Sequence, residues 1–479
     1  MTTETRTFPG RHGIRRPRAV GVLAAAAAIV LATYGFSALR GAPARTLPAA
    51  AAAQAPGATA SEGAGIDPAP LFEPGSTTGL VPGSIEQIDN AIAIWSANVA
   101  KEPRDFLSST TLASLYHERG RLSGDLGDQQ KALEAAATAE RAAPKETPAR
   151  VIEAAIKFTL HDFDGAYGEA QAVFRDDPTN QTALATMTDA ELELGRIADA
   201  RADYARLGAM PGAQGAALDI RLARLAYLSG DGSEALKESE AALAATRKAA
   251  AAGETVDLGF YEYAAAEYAR LTGDMTRART GYEAALAVRS TDLGSLVGLA
   301  RVQAYEGQVT DAVATLEKAA AIAPQPETLG LLGDLETKIG GTADASRQFE
   351  TVRFIEQLGA IQATVFDRIL IRFDLDHGAA SDATLAKARA SLAAQPDATG
   401  HDTVAWALYR LGRTAEAATE SAAAGGTTSA DARILFHAGA IALADGHTAT
   451  GRAVLQRAIK LGAALDPIER AEAQRLLGS

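Results

Sequence analysis

The chain has 479 residues, 110 of them Ala, with no Cys, 5% aromatics and a formal charge of −13. The lack of thiols excludes disulfides, thiolate metal sites and a cysteine nucleophile. The first forty residues hold six Arg and one Glu, so the rest carries about −18 and disfavours a nucleic-acid partner.

Residues 1–18 form a basic segment containing Arg6, Arg11, Arg15, Arg16 and Arg18. The next stretch, AVGVLAAAAAIVLATYGFSAL (residues 19–39), is uncharged over 21 positions, and as a helix it would rise about 30 Å, enough to cross a hydrocarbon core. Two fates fit it. As a transmembrane signal anchor it would keep the basic segment in the cytoplasm and export the remainder. As a signal-peptide h-region it would be cut after Ala42-Pro43-Ala44, leaving a periplasmic or secreted chain. Its length favours the anchor; its eight alanines suit cleavage. Residues 40–84 are rich in Ala, Pro and Gly without apolar periodicity, which reads as a linker.

From residue 85 the chain repeats itself. Break residues Gly127, His161, Gly195, Gly230, Gly273, Gly307, Gly340, Gly378, Gly412 and Gly446 recur at mostly 33 to 35 residues. Five positions after each break stands Ala, except for Gly451 in the last unit. Twelve positions after it stand Ala139, Val173, Leu207, Ala242, Ala285, Ala319, Val352, Ala390, Ala424 and Ala458. Seven positions before it small residues dominate, from Ala154 to Gly439, with Ile371 as the large exception. Each unit therefore reads as helix A, a tight turn, helix B and a second turn. Small residues let the two axes approach, Gly frees the first turn, and Pro144, Pro178 and Pro324 stop helix B. The longer spacing at 245–259 predicts an extended helix B and loop.

On these positions, and most closely in GLARVQAYEGQVTDAVATLEKAAAIAP (298–324) and AEYARLTGDMTRARTGYEAALAV (266–288), the chain resembles the tetratricopeptide repeat (TPR) family of the exported or membrane-anchored bacterial type. The resemblance implies an all-α fold, a right-handed α-solenoid of stacked helical hairpins behind a single N-terminal apolar helix. It covers about ten repeats plus a leading half repeat over residues 85–465, with 466–479 as a capping helix.

Phosphate loops, dinucleotide fingerprints, HExxH and GxSxG are absent, and ten repeats leave no room for a second domain. FDLDHG (373–378) reads as the charged last turn of a helix. The chain is thus expected to be non-enzymatic, without cofactor or metal. The family implies that helix A lines a concave face. The side chains six and three positions before the turn then nominate Arg224, Tyr227, Glu267, Arg270, Arg301, Asp334, Arg372, Trp406 and Tyr409 as partner-binding. The ligand expected there is an extended acidic or carboxylate-bearing peptide, and a wall without a specific ligand is the competing expectation. The function expected is a protein-interaction scaffold at the cell envelope, tethered through residues 19–39. The alternative is a soluble periplasmic or secreted adaptor for an envelope enzyme.

Overall fold

The computed structural model describes residues 85–123, 125–254, 256–357 and 360–478. These form helices and no strand. The leading helix is α1 (Ile85–Lys101). Ten antiparallel hairpins follow: α2 (Phe106–Ser123) with α3 (Leu126–Ala142), α4 (Thr147–Thr159) with α5 (Phe163–Asp176), and α6 (Gln181–Glu193) with α7 (Ile197–Gly208). Next come α8 (Ala216–Leu228) with α9 (Gly232–Ala251), α10 (Leu258–Thr272) with α11 (Met275–Val288), and α12 (Leu293–Tyr305) with α13 (Val309–Ile322). The last four are α14 (Pro326–Lys338) with α15 (Thr342–Glu356), α16 (Ala360–Asp376) with α17 (Asp382–Ala394), α18 (Ala398–Arg410) with α19 (Thr414–Ala423), and α20 (Ala432–Ala444) with α21 (Thr448–Lys460). A short 3₁₀ turn, Gly462–Ala464, leads into α22 (Pro467–Gly478). The fold is an all-α solenoid. The apolar segment 19–39 lies outside the described residues, and no described helix is long and apolar enough to cross a membrane.

The repeated small residues do what their spacing implies. Ala132, Ala166, Ala200, Ala235, Ala278 and Ala312 are fully buried, as are Ala139, Ala242, Ala285, Ala319 and Ala458. They bring each helix B against its own helix A at a distance that a longer side chain would prevent. Larger residues close the gaps: the Tyr282 ring lies where a Cβ on Gly298 would be, and Phe349 does the same at Gly333. Much of the acidic excess is spent at helix starts. Asp125, Asp162, Asp231, Asp257, Asp274, Asp292, Asp397 and Asp431 each accept a backbone N–H in the first turn of their helix.

The turn residues adopt positive φ from His161 (60°) through Gly195 (73°) to Gly446 (85°). Two details differ from the spacing-based reading. Gly127 is not a turn residue: Asp125 caps α3, and Gly127 belongs to its first turn. Ala383 and Ala390 are exposed, because Ser381 caps α17 two residues later than in the other units, and Thr384, Leu385, Ala388 and Ser391 are buried instead. The expected extension of one helix B is present, with α9 running to Ala251.

The superhelix returns to itself six hairpins on. The turn after α6 meets the start of α18, where a Cβ on Gly195 would sit 2.6 Å from the Pro396 carbonyl oxygen. The turn after α8 meets the start of α20, with Thr428 O 2.9 Å from the Cβ position of Gly230. The turn after α10 meets the end of α21. Leu126 at the start of α3 shares a buried cluster with Leu329, Val352, Ile355 and Ile369 of the seventh and eighth hairpins.

Gly412 has the same backbone sign, φ 75°, but open space around its Cβ position. Gly412→Ala should therefore cost about 1–2 kcal/mol of left-handed strain. Gly195→Ala should cost that amount and about 1–3 kcal/mol more, because the methyl meets backbone. Chemical denaturation of the two variants measures the difference.

Candidate functional site

The A helices form the inner wall, and the nine nominated side chains lie on α8, α10, α12, α14, α16 and α18. Most of that wall is covered. Glu267, Arg270, Arg301, Tyr227 and Trp406 keep only 6%, 5%, 6%, 7% and 1% of their surface exposed. The open groove expected for them is filled by the chain's own C-terminal turns, because the superhelix winds tightly enough for those turns to reach it.

The contacts are ionic and directional. Arg270 Nη1 donates to the Ala463 carbonyl at 2.7 Å while its other nitrogens hold Glu267, which also accepts from the Tyr282 hydroxyl. Arg301 Nε donates to Asp466 Oδ1 at 2.8 Å and its Nη2 to Glu327 at 2.8 Å. Arg433 reaches the second oxygen of Asp466 at 3.2 Å. Burial works to raise the Asp466 pKa, but Arg301 and Arg433 prevail and hold the carboxyl far below its usual range. Arg470 of α22 lies over the Tyr305 ring at 4.6 Å.

Trp406 is a correction. Expected to project from the wall, it is instead part of the core between the ninth and tenth hairpins. Its indole donates to Asp376 at 3.0 Å and stacks on Tyr409 (centroids 4.9 Å) and His437 (4.0 Å). The layer on its far side escaped a reading of helix periods, since His437 comes from the next hairpin, where its Nδ1 lies 2.8 Å from Asp402. The signal available for it was chemical: a buried indole N–H requires an acceptor, and Asp376 ends the preceding helix A.

Asp334 and His377 are brought together across α14 and α16, with Nε2 to Oδ1 at 2.9 Å and Nδ1 against the Phe373 carbonyl at 2.7 Å. The FDLDHG turn thus serves as a helix-to-helix tie. Burial would lower the His377 pKa, and the Asp334 carboxylate outweighs it, so the value stands above 6.5.

Arg224 is engaged by Glu193 at 2.7 Å. Arg372, half-buried on α16, makes no hydrogen bond or ion pair with any described residue and faces a cavity between successive turns of the superhelix. Among the described residues no group of His, Asp and Glu could hold a metal ion.

Trp406→Ala should lower stability by about 3–5 kcal/mol in denaturant titrations, the cost of an aromatic-sized void. A surface handhold would move it by less than about 0.5 kcal/mol. The His377–Asp334 tie contributes stability below 6.5, the unfolded value, and loses it as pH rises through the raised folded value. NMR titration should place His377 above 6.5, and Asp334→Asn should lower it, with the Phe373 carbonyl and Asp376 still opposing the effect of burial.

No family model and no curated protein matches the chain. Similar solved structures include the TPR protein TTC0263 of Thermus thermophilus (17% identity, TM-score 0.33, 45% of this chain and 98% of that one). PilW, a widely conserved type IV pilus biogenesis factor, aligns at 16% identity and TM-score 0.37 over 46% of this chain and 98% of its own. The human IFIT1 dimer with PPP-AAAA aligns at 14% and 0.41 over 79% and 95%. At these scores the likeness says nothing of what this chain binds.

Proposed function

We propose that the chain is a non-enzymatic scaffold for protein–protein contacts at a cell envelope, held there by residues 19–39 with the helical array on the extracytoplasmic side. The observation that carries this reading is how the inner wall holds part of its own chain. Arg270 grips a backbone carbonyl at Ala463, and Arg301 grips a carboxylate three residues on at Asp466. A partner segment with an acidic side chain and a free carbonyl at similar spacing satisfies the same guanidinium groups and competes with residues 461–469. Two further features favour a scaffold. The repeats take up most of the chain from residue 85, and the charge outside the basic N-terminal segment opposes a phosphate backbone.

The second reading, a soluble periplasmic or secreted adaptor, is favoured by the Ala42-Pro43-Ala44 site. Alkaline extraction of membranes separates the two. An anchored chain stays in the pellet, and a soluble chain beginning near Arg45 supports the adaptor. For the groove, a photo-crosslinking side chain replaces Tyr305, beside the closing turn, in the full-length chain in cells. Asp466→Asn should raise crosslinking to a partner by about threefold, and Arg301→Gln should lower it by a similar factor. Equal yields in wild type and both variants sink the groove reading.

A further inference from the structure

A cavity of about 160 Å³ remains between consecutive turns of the superhelix. Its wall combines the His161 turn, the end of α8, the middle of α16 and the first turns of α18 and α20. Cavities of about 150 Å³ accept a benzene-sized molecule.

The charged side chains around it have hydrogen-bond partners with one exception. Glu193 takes Arg224. Arg368 binds both oxygens of Asp397, at 2.8 and 2.9 Å, and the Gln395 carbonyl at 2.7 Å. Asp431 accepts the Tyr227 hydroxyl and two amide N–H groups at the start of α20. Burial pushes the Asp367 carboxyl up, which disfavours its charged form. Arg372 is left over: a guanidinium at the cavity wall whose N–H donors are all unpaired among the described residues. Its N–H donors find no acceptor in the fold, and an incoming carboxylate would supply one.

A further group points the same way. Burial, then Arg368 and Arg224, hold His161 down to about 4, so a neutral imidazole N–H stands in a region of positive potential. Arg372, Thr399, Asp431 and Ile434 also line an adjoining void of about 10 Å³. There His437, buried with Nδ1–H donating to Asp402, keeps Nε2 as an unpartnered acceptor, which suits a donor and not the carboxylate.

We propose that this cavity binds a small organic monocarboxylate of about six to ten heavy atoms, its carboxylate on Arg372 and its body against Phe163, Leu228 and Ile434. A second carboxylate would meet Glu193, Asp397 or Asp431, so dicarboxylates are selected against. The carboxylate belongs either to a free acid or to the terminus of a partner chain, and both would make the same contacts. The cavity is separate from the turn at 461–469, so this inference and the scaffold reading stand or fall independently.

The test uses benzoate and its neutral isostere benzamide, titrated by calorimetry and NMR into the full chain. Benzoate should bind at least about tenfold more tightly than benzamide and than glutarate. Arg372→Gln should weaken benzoate by at least about tenfold, Arg372→Lys by less, and the exposed Arg413→Gln not at all. The imidazole signals of His161 and His437 should shift with benzoate. If Arg372→Gln fails to fold, the acid–amide preference and these shifts in the wild-type chain decide alone. A tetrapeptide with a free C-terminus, compared with its amide, separates the sources: Arg372-dependent binding of the peptide alone assigns the carboxylate to a partner chain. Benzoate and benzamide binding equally, no carboxylate binding at all, or unchanged binding in a folded Arg372→Gln variant would overturn the assignment.

Discussion

A backbone carbonyl laid over a turn glycine is the contact on which the rest of this molecule depends. At Gly195 and Gly230 the first turn of a hairpin meets the chain six hairpins later, with Pro396 O and Thr428 O in the space a Cβ would occupy. Glycine meets two requirements there at once. Its φ of 73° or 88° is one that other residues adopt at a cost, and its missing side chain admits the neighbouring backbone. The turns at Gly307, Gly340, Gly378, Gly412 and Gly446 need only the first of these.

Closing the superhelix turns an inner wall into an interior. Charges that would be solvated in an open groove must then be paired, and they are: Arg224 with Glu193, Arg270 with Glu267, Arg301 with Asp466 and Glu327. Such pairs add little net stability compared with apolar packing, but losing one partner strands the other. Arg301 with Asp466 is the pair that joins successive turns, and it is satisfied at a single offset between them. Arg372 lies outside this scheme, and it lies where the turns fail to meet and leave space.

The hairpin architecture was legible in residue spacing because it is local. A 34-residue period with small residues at fixed offsets constrains two helices that touch each other, and Ala200 or Ala278 would be buried in any solenoid of this kind. The exceptions were also local: an extended turn at Ala379-Ala380 shifted the buried face of α17, and a long α2 moved the first turn away from Gly127. The nominated residues lie on A helices, as their spacing implied, yet whether they met solvent could not be read. Trp406 shows why. Its position on α18 follows from period, but its burial depends on His437 and Asp376, which belong to adjacent hairpins.

The sequence by itself determined the class of fold, the number of hairpins, the small-residue faces and the inner-wall positions, because each of these follows from contacts within about one repeat length. Only the tertiary structure decided that successive turns touch, that Asp466 and the Ala463 carbonyl occupy the wall, and that Arg372 is left facing a cavity. The physical reason is accumulation. The pitch of a superhelix is the sum of small rotations between neighbouring units, and no single repeat encodes that sum.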